Sequence, residues 1–176
     1  MTSRPVNTLA RVWRRLGIPT DYARIRHLPV QREARSLVLV GPAADDGKPV
    51  RLTPRAAVAW RRMAAAAARD GVELLPISGY RSVVRQIRII RQKLATGDAI
   101  GDILRLIAAP GCSEHHTGRA IDVGSPGNCA LDEYFSRTAE FRWLKKYAAR
   151  FGFQLSYPRG NRHGISYEPW HWCWHR

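Results

Sequence analysis

Side chains capable of chemistry are concentrated in three short segments of the chain. These are SGYRS at 78–82, SEHHTGRAID at 113–122 and EPWHW at 168–172. The second and third segments contain three histidines, an aspartate and, close by, Glu168. Two imidazoles and one carboxylate make a three-ligand zinc site whose fourth position stays open to water, which is typical of catalytic zinc. A glutamate beside such a site can accept a proton from the water that the metal activates.

Two neighbouring histidines compete for one ligand position. Adjacent side chains of an extended backbone point to opposite faces, so His115 and His116 are not expected to bind one metal together. His115 lies seven positions before Asp122, and Gly118 between them lets the backbone turn back. Ala120 alternates with Asp122, which leaves a small side chain beside the carboxylate. This spacing permits His115 and does not exclude His116.

The third segment can form a site only if its backbone bends. Glu168 and His171 are three positions apart, and a straight strand would place them on opposite faces. Pro169 removes a donor from any strand ladder and favours extended geometry at the residue before it, so a local bend is expected there. Without this bend, the two side chains cannot serve one site.

The elements that must position these segments are a mixture of helices and strands. Helices are predicted at 9–16, 53–70, 82–94, 100–108 and 138–151. Strands are predicted at 36–40, 50–52, 72–77, 119–123, 153–157 and 166–174. Trp170, Trp172 and Trp174 alternate along the last strand and therefore share one face. We expect this face to lie in the core rather than on a substrate surface. The helices are grouped in the middle and the strands come late, which favours an α+β fold over a regular βαβ alternation.

The composition excludes several classes of protein. The chain has 176 residues, of which 45% are hydrophobic and 24% charged, the balance of a globular domain. No stretch approaches the roughly 18 consecutive apolar residues of a membrane span, and three cysteines are too few for a disulfide-built miniprotein. The N-terminal residues show no signal-peptide pattern. We therefore expect a cytoplasmic protein, one exported by another route, or one whose leader is not part of this chain.

The charge balance indicates a class of partner. Lys and Arg number 29 against 14 Asp and Glu, for a formal net charge of +15. Such a surface attracts polyanions, including nucleic acid, anionic lipid headgroups and acidic cell-wall polymers. The arginines are scattered along the whole chain, and no segment forms an RNA-binding signature. Charge alone therefore selects no particular partner.

The three segments resemble the motifs of one enzyme family. SEHHTGRAIDV resembles the S-x-H-x-x-G-x-A-x-D motif of the VanY-like D-alanyl-D-alanine carboxypeptidases, and EPWHW resembles their E-x-W-H motif. SGYRS followed by Gln86 resembles their G-Y-R-S-x-x-x-Q segment. The likeness runs from about Leu52 to the C-terminus. It implies a catalytic domain at 51–176. Residues 1–50 match none of these motifs, and their arginines, short apolar patches and turn residues predict an N-terminal arm and hairpin that pack on this domain.

The resemblance also implies a fold and a set of roles. The fold is a single α+β domain with a small central antiparallel sheet flanked by helices, similar to Hedgehog and the DD-peptidases. One zinc ion per chain is bound by His115, Asp122 and His171. Glu168 is the general base and later the acid, and Arg81 holds the scissile carbonyl and stabilises the oxyanion. The terminal D-residue of the substrate is held by Ser113 and Gln86, with Tyr157 as a wall.

The expected function is hydrolysis of the terminal D-Ala–D-Ala bond of peptidoglycan stem peptides. Two alternatives use the same zinc site, an L,D-carboxypeptidase and a peptidoglycan endopeptidase. A third is a non-catalytic basic zinc module that binds wall polymer or nucleic acid, which the presence of Glu168 and Arg81 disfavours. We expect a monomer with no nucleic-acid partner, and the substrate implies a place in the cell envelope or periplasm.

Three cysteines near the motifs leave their chemistry open. They are Cys112, Cys129 and Cys173. As thiolates, any of them could bind zinc. A disulfide between Cys112 and Cys129 would stabilise the fold by roughly 3 kcal/mol in the chain-entropy model. Buried free thiols are the alternative.

Overall fold

The α+β pattern predicted from the sequence is confirmed by the computed structural model, which describes residues 4–175. The helices are α1 (Arg4–Arg15), α2 (Tyr22–Ile25), α3 (Pro54–Arg69), α4 (Val83–Ala95), α5 (Ile100–Leu106) and α6 (Ala139–Tyr147). The strands are β1 (Val38–Pro42), β2 (Pro49–Leu52), β3 (Leu75–Ser78), β4 (Ala120–Gly124), β5 (Phe153–Leu155) and β6 (His171–Trp174). Short 3₁₀ turns at Glu114–Thr117, Glu133–Arg137 and Ala148–Phe151 connect some of these elements.

The strands form two antiparallel sheets. One has four strands in the order β3-β4-β6-β5, and the other is the β1-β2 hairpin. The edge strand β3 contains Pro76, and its register with β4 shifts between Pro76 and Ser78, as expected for a residue that donates no backbone hydrogen bond. The two central strands, β4 and β6, therefore carry the most fully paired part of the sheet.

The two faces of the central strands have different roles. Side chains alternate along a strand, and one face of β4 and β6 packs into a core with α3 and α6 through Ile121, Val123, Trp172 and Trp174. The core positions predicted for Trp172 and Trp174 are thus confirmed. A second apolar cluster joins α1, α2, α4 and α5. The polar residues of β4 and β6 lie on the face of the sheet opposite the first core.

Helix starts follow capping chemistry in two of three predicted places. The Ser82 hydroxyl accepts a hydrogen bond from the Arg85 amide at the start of α4, and the Thr138 hydroxyl accepts one from the Phe141 amide at the start of α6. Thr53 precedes α3 in extended geometry but makes no side-chain cap bond. The helix predicted at 100–108 ends at Leu106.

The segment before β1 is bonded to the segments that carry the motifs. The Gln31 amide donates to the Gly111 carbonyl, and the Ala34 amide donates to the His116 carbonyl. The Glu33 carboxylate accepts a hydrogen bond from the Val83 amide at 2.7 Å and one from the Tyr80 hydroxyl at 3.2 Å. β2 runs across residue 50, so the predicted boundary between arm and domain lies inside a strand. The division into 1–50 and 51–176 stays a prediction.

We predict that Gly79→Ala destabilises the fold. A Cβ at this position would lie 2.5 Å from the Arg51 carbonyl oxygen, which also accepts a hydrogen bond from the Tyr80 amide. The resulting backbone shift should lower the free energy of unfolding by about 1–3 kcal/mol, measured by urea denaturation of the metal-free protein. The control is Gly101→Ala, where a Cβ would meet no atom within 4 Å. Equal stability of the two variants would contradict the prediction.

Candidate metal centre

The pairing of β4 with β6 brings two of the predicted ligands together. Asp122 and His171 are direct register partners, so their side chains leave the same face of the sheet. The His171 Nδ1 lies 3.2 Å from the Asp122 Oδ1, and both side chains are only 3% exposed. The pair is therefore held in contact by the sheet itself.

The third predicted ligand, His115, lies in the 3₁₀ turn Glu114–Thr117. The Ser113 hydroxyl accepts a hydrogen bond from the His115 amide at the start of this turn, and Gly118 ends it in the left-handed conformation, at φ 64°. The extended backbone assumed from the sequence for 115–116 is therefore wrong. The turn places the His115 Nε2 3.3 Å from the Asp122 Oδ2. One ligand atom from each of His115, Asp122 and His171 lies within 4.8 Å of the others.

His116 belongs to a different set of contacts. Its Nε2 accepts a hydrogen bond from the Gly111 amide, so its Nδ1 carries the proton and donates to the Arg81 carbonyl at 2.6 Å. Both ring nitrogens are thus engaged away from Asp122. The alternative that His116 competes as a ligand is not supported by this geometry.

The donor set fits a zinc ion. The His115 Nδ1 lies 2.7 Å from the Gly79 carbonyl oxygen, which can only accept, so this nitrogen donates and the Nε2 lone pair faces Asp122. Two imidazoles and one carboxylate are the ligands of an open catalytic zinc site. A backbone carbonyl that fixes the other nitrogen of a ligand imidazole is the usual arrangement around such metals.

Opposite charges compensate the burial of this group. Burial raises the pKa of Asp122, but the charges and hydrogen bonds of His115 and His171 outweigh burial and lower it. Burial lowers the pKa of His171, but its bonds to Asp122 and Glu114 raise it to about 10. Burial lowers the pKa of His115. The site thus favours an ionised aspartate and a neutral His115.

The bend expected at Pro169 is present. The predicted strand at 166–174 is wrong in its first half, because β6 begins at His171. The His171 amide donates to the Glu168 carbonyl, and the Glu168 amide donates to the Tyr157 carbonyl. This turn places the Glu168 Oε2 3.8 Å from the His171 Nδ1. Burial raises the pKa of Glu168 to about 7.

Arg81 also lies beside the His115–Asp122–His171 group, next to the Asp122 carboxylate. Its guanidinium is 16% exposed, and one nitrogen is 4.0 Å from the Asp122 Oδ2. Another nitrogen donates to the Gln86 Oε1 at 3.1 Å. The Gln86 amide nitrogen donates to the Ala108 carbonyl at 2.7 Å. Gln86 is fully buried, and these two hydrogen bonds satisfy the oxygen and the nitrogen of its side-chain amide.

All eight predicted site residues line one cavity of about 650 Å³. Ser113 lies at its wall and caps the turn that carries His115. The Tyr157 ring packs against the His171 ring, with centroids 4.9 Å apart. Trp170 also lines this cavity. Its prediction as a core residue is therefore only partly right, because Trp170 precedes β6 and is half-buried.

The cysteines lie outside the His–Asp–His group. Cys112, Cys129 and Cys173 are all free thiols in the structure, so the bridge between Cys112 and Cys129 is not formed. Cys112 is buried in the second apolar cluster, and burial raises its pKa to about 12. Cys173 lies near Glu114 and His175.

Glu114 is a further polar residue at this site, and the motifs in the sequence give it no role. Its Oε2 lies 2.9 Å from the His171 Nε2, and Ser156 donates to the same oxygen at 2.6 Å. Glu114 is adjacent to His115 in the chain, but 57 positions separate it from His171. No local pattern signals such a contact, because the sheet register and the 3₁₀ turn create it together.

A small antiparallel α+β domain with a buried His–Asp–His group defines this chain as a protein with a candidate mononuclear metal centre. Residues 49–176 match the model of the VanY family, described as D-alanyl-D-alanine carboxypeptidase. The chain belongs to this family.

A curated relative and two solved proteins show the extent of the likeness. The D-alanyl-D-alanine carboxypeptidase of Enterococcus faecalis is 34% identical over 117 residues, which cover 61% of this chain and 42% of that protein. The chain thus spans less than half the length of this curated relative. The LD-carboxypeptidase LdcB has 32% identity and a TM-score of 0.73, over 83% of this chain and 71% of LdcB.

The second solved protein is VanY of the VanB-type vancomycin-resistance cassette. A mutant of this D,D-pentapeptidase in complex with Zn(II) has 29% identity and a TM-score of 0.62, over 84% of this chain and 82% of that one. VanYB in complex with D-alanine-D-alanine has 29% identity and a TM-score of 0.63, over 83% and 80% of the two chains.

We predict opposite effects of two adjacent substitutions on zinc content. His115→Ala should reduce bound zinc far below one ion per chain, because it removes the Nε2 that faces Asp122. His116→Ala should keep zinc near one ion per chain. It should still lower the free energy of unfolding by about 1–3 kcal/mol, because the Gly111 amide and the Arg81 carbonyl lose their partner. Elemental analysis after dialysis, with urea denaturation, measures both. Zinc loss in His116→Ala alone would overturn the assignment.

Proposed function

We propose that this chain is a zinc-dependent D-alanyl-D-alanine carboxypeptidase that removes the terminal D-Ala of peptidoglycan stem peptides. One observation carries the proposal: Glu168 and Arg81 flank the His115–Asp122–His171 group inside one cavity. A structural zinc site requires neither a buried glutamate nor a buried arginine. Hydrolysis of a peptide bond requires a base and a group that stabilises the oxyanion.

The proposed metal ligands are His115 through Nε2, Asp122 through its carboxylate and His171 through Nδ1. Zinc, when bound there, supplies a Lewis acid that polarises a carbonyl and makes water more acidic. Family membership supports this assignment, as does the Zn(II) complex of the related VanY.

Glu168 is proposed to move the proton. Burial raises its pKa to about 7, and a group with a pKa near the working pH can both accept a proton and give it back. Its Oε2 lies close to the His171 Nδ1, on the side of the cavity next to the proposed metal. We propose that it accepts the proton of the attacking water and then protonates the leaving amine of D-Ala.

Arg81 is proposed to hold the scissile carbonyl oxygen. Burial lowers its pKa, yet a guanidinium stays charged at neutral pH and presents several donors. Gln86 orients this guanidinium through the 3.1 Å hydrogen bond. We therefore propose that Gln86 acts on the substrate through Arg81, and that Ser113 and Tyr157 contact the terminal D-residue where they line the cavity.

The remaining parts of the chain have proposed roles of their own. Residues 1–50 act as an arm that braces the catalytic part, which the bonds of Gln31, Glu33 and Ala34 support.

We propose that the protein is a monomer that acts in the cell envelope, where its substrate lies. Its positive surface would concentrate stem peptides, which end in carboxylates. Among residues 4–175, no helix combines the length and apolar character needed to cross a bilayer.

A second candidate function is removal of D-Ala from a tetrapeptide. The likeness to the LD-carboxypeptidase LdcB, with its TM-score of 0.73, favours this alternative. In that reaction the residue before the scissile bond has the L configuration. The same zinc, base and arginine would serve both reactions, so the difference lies in the cavity wall around that residue.

We predict that Glu168→Gln keeps zinc and loses turnover. The amide has nearly the same shape as the carboxylate but cannot accept the proton, so kcat should fall by at least about 100-fold. D-Ala release from a stem pentapeptide gives the rate, and elemental analysis gives the zinc content. Full hydrolysis by a zinc-loaded Glu168→Gln protein would disprove the assignment of the base.

Muropeptides of defined sequence should separate the two candidate functions. The zinc-loaded protein should release free D-Ala from a pentapeptide ending in D-Ala–D-Ala faster than from the matching tetrapeptide, as measured by mass spectrometry of the products. Faster cleavage of the tetrapeptide would favour the L,D activity. Cleavage of a crosslinked dimer without release of D-Ala would favour an endopeptidase.

A further inference from the structure

The carboxylate of Glu114 contacts His171, which lines the cavity, but Glu114 is not itself among the lining residues. Its Oε2 is 2.9 Å from the His171 Nε2, while the His171 Nδ1 faces Asp122 at 3.2 Å. The Glu114 side chain is 18% exposed and that of His171 is 3% exposed. A half-buried carboxylate thus contacts the imidazole nitrogen that the proposed metal does not need.

We infer that Glu114 is a positioning residue that accepts the Nε2 proton of His171 and so presents the Nδ1 lone pair to the metal. This inference rests on the zinc site of the proposed function. It concerns the orientation and tautomer of a ligand, and it gives Glu114 no contact with substrate.

The two histidines of the site need opposite tautomers. His115 faces Asp122 with Nε2 and donates from Nδ1 to the Gly79 carbonyl. His171 faces Asp122 with Nδ1, so a metal bound at this nitrogen requires its proton to be on Nε2. For His115, a backbone carbonyl selects the tautomer. For His171, the acceptor within hydrogen-bond distance of Nε2 is the Glu114 carboxylate.

Glu114 is itself held in place from several directions. Its backbone lies in the 3₁₀ turn that carries His115. Ser156, just after β5, donates to its Oε2 at 2.6 Å. Cys173 on β6 lies beside the same carboxylate, and burial raises the pKa of this thiol. The carboxylate therefore cannot swing away from His171 without leaving buried partners unsatisfied.

Removing the carboxylate should weaken zinc binding more than it affects the fold. In Glu114→Ala, the Nε2 proton has no acceptor at this position, and the ring is free to adopt the wrong tautomer or to rotate. Loss of such a partner behind a ligand histidine typically costs about 10–100-fold in metal affinity. Glu114→Gln keeps an acceptor oxygen of the same reach, so its loss should be clearly smaller.

Zinc affinity provides the first test. The dissociation constant of zinc is measured by competition with a chromogenic chelator for the wild type, Glu114→Ala, Glu114→Gln and Glu73→Ala. Glu73 is exposed, and Glu73→Ala removes one negative charge without touching this contact. We expect a 10–100-fold weakening in Glu114→Ala, partial recovery in Glu114→Gln and no change in Glu73→Ala.

Nitrogen-15 NMR of the histidine rings provides the second test. In the zinc-loaded wild type, His171 should show a protonated Nε2, and in Glu114→Gln this proton should remain. Unchanged zinc affinity in both Glu114 variants would overturn the inference, even if thermal stability of the metal-free protein fell. A proton on the His171 Nδ1 in the zinc-loaded wild type would also overturn it. If the wild type itself bound no zinc, the proposed function would fail first.

Discussion

The register of β4 against β6 is the constraint on which the site depends. It sets Asp122 opposite His171 on the face of the sheet that does not join the main core. A carboxylate this deeply buried is costly unless positive charge and hydrogen bonds surround it. Here His115, His171 and the Arg81 guanidinium all lie within 4.0 Å of its oxygens. A slip of one residue would exchange the two faces, placing Asp122 in the tryptophan-rich core and Ile121 in the cavity.

The same alternation separates stability from chemistry. Trp172 and Trp174 are buried with α3 and α6 on one side of β6, and His171 and Cys173 lie on the other. Large apolar side chains thus hold the central strands rigid directly behind the polar group. Polar groups built on packed strands are located more precisely than groups on loops. Arg81 and Glu168 come from irregular backbone, but the Arg81 amide donates to the His115 carbonyl and the Glu168 carbonyl accepts from the His171 amide of β6.

The sequence was sufficient for most of the fold and for the identity of the gathered residues, and insufficient for their orientation. Periodicity and capping signals located α3, α4 and α6, and the resemblance to the family motifs identified the groups that meet in the cavity. The choice between His115 and His116 depended on a 3₁₀ turn where an extended backbone was assumed. The contact between Glu114 and His171 joins residues far apart in the chain, and it follows from tertiary geometry alone. The engagement of Gln86 with Arg81 and Ala108 is of the same kind, because a hydrogen-bond partner is not encoded in residue type.

The backbone around the cavity couples the proposed ligand to the proposed oxyanion group. The Arg81 amide donates to the His115 carbonyl, the His115 ring bonds to the Gly79 carbonyl, and the His116 ring bonds to the Arg81 carbonyl. Residues 79–81 and 115–116 therefore exchange three hydrogen bonds and shift only together. Stabilisation of a developing charge is strongest when the donors need no rearrangement during the reaction. Because Asp122 and Gln86 contact the guanidinium at its other end, Arg81 is positioned beside the proposed metal ligands without any substrate.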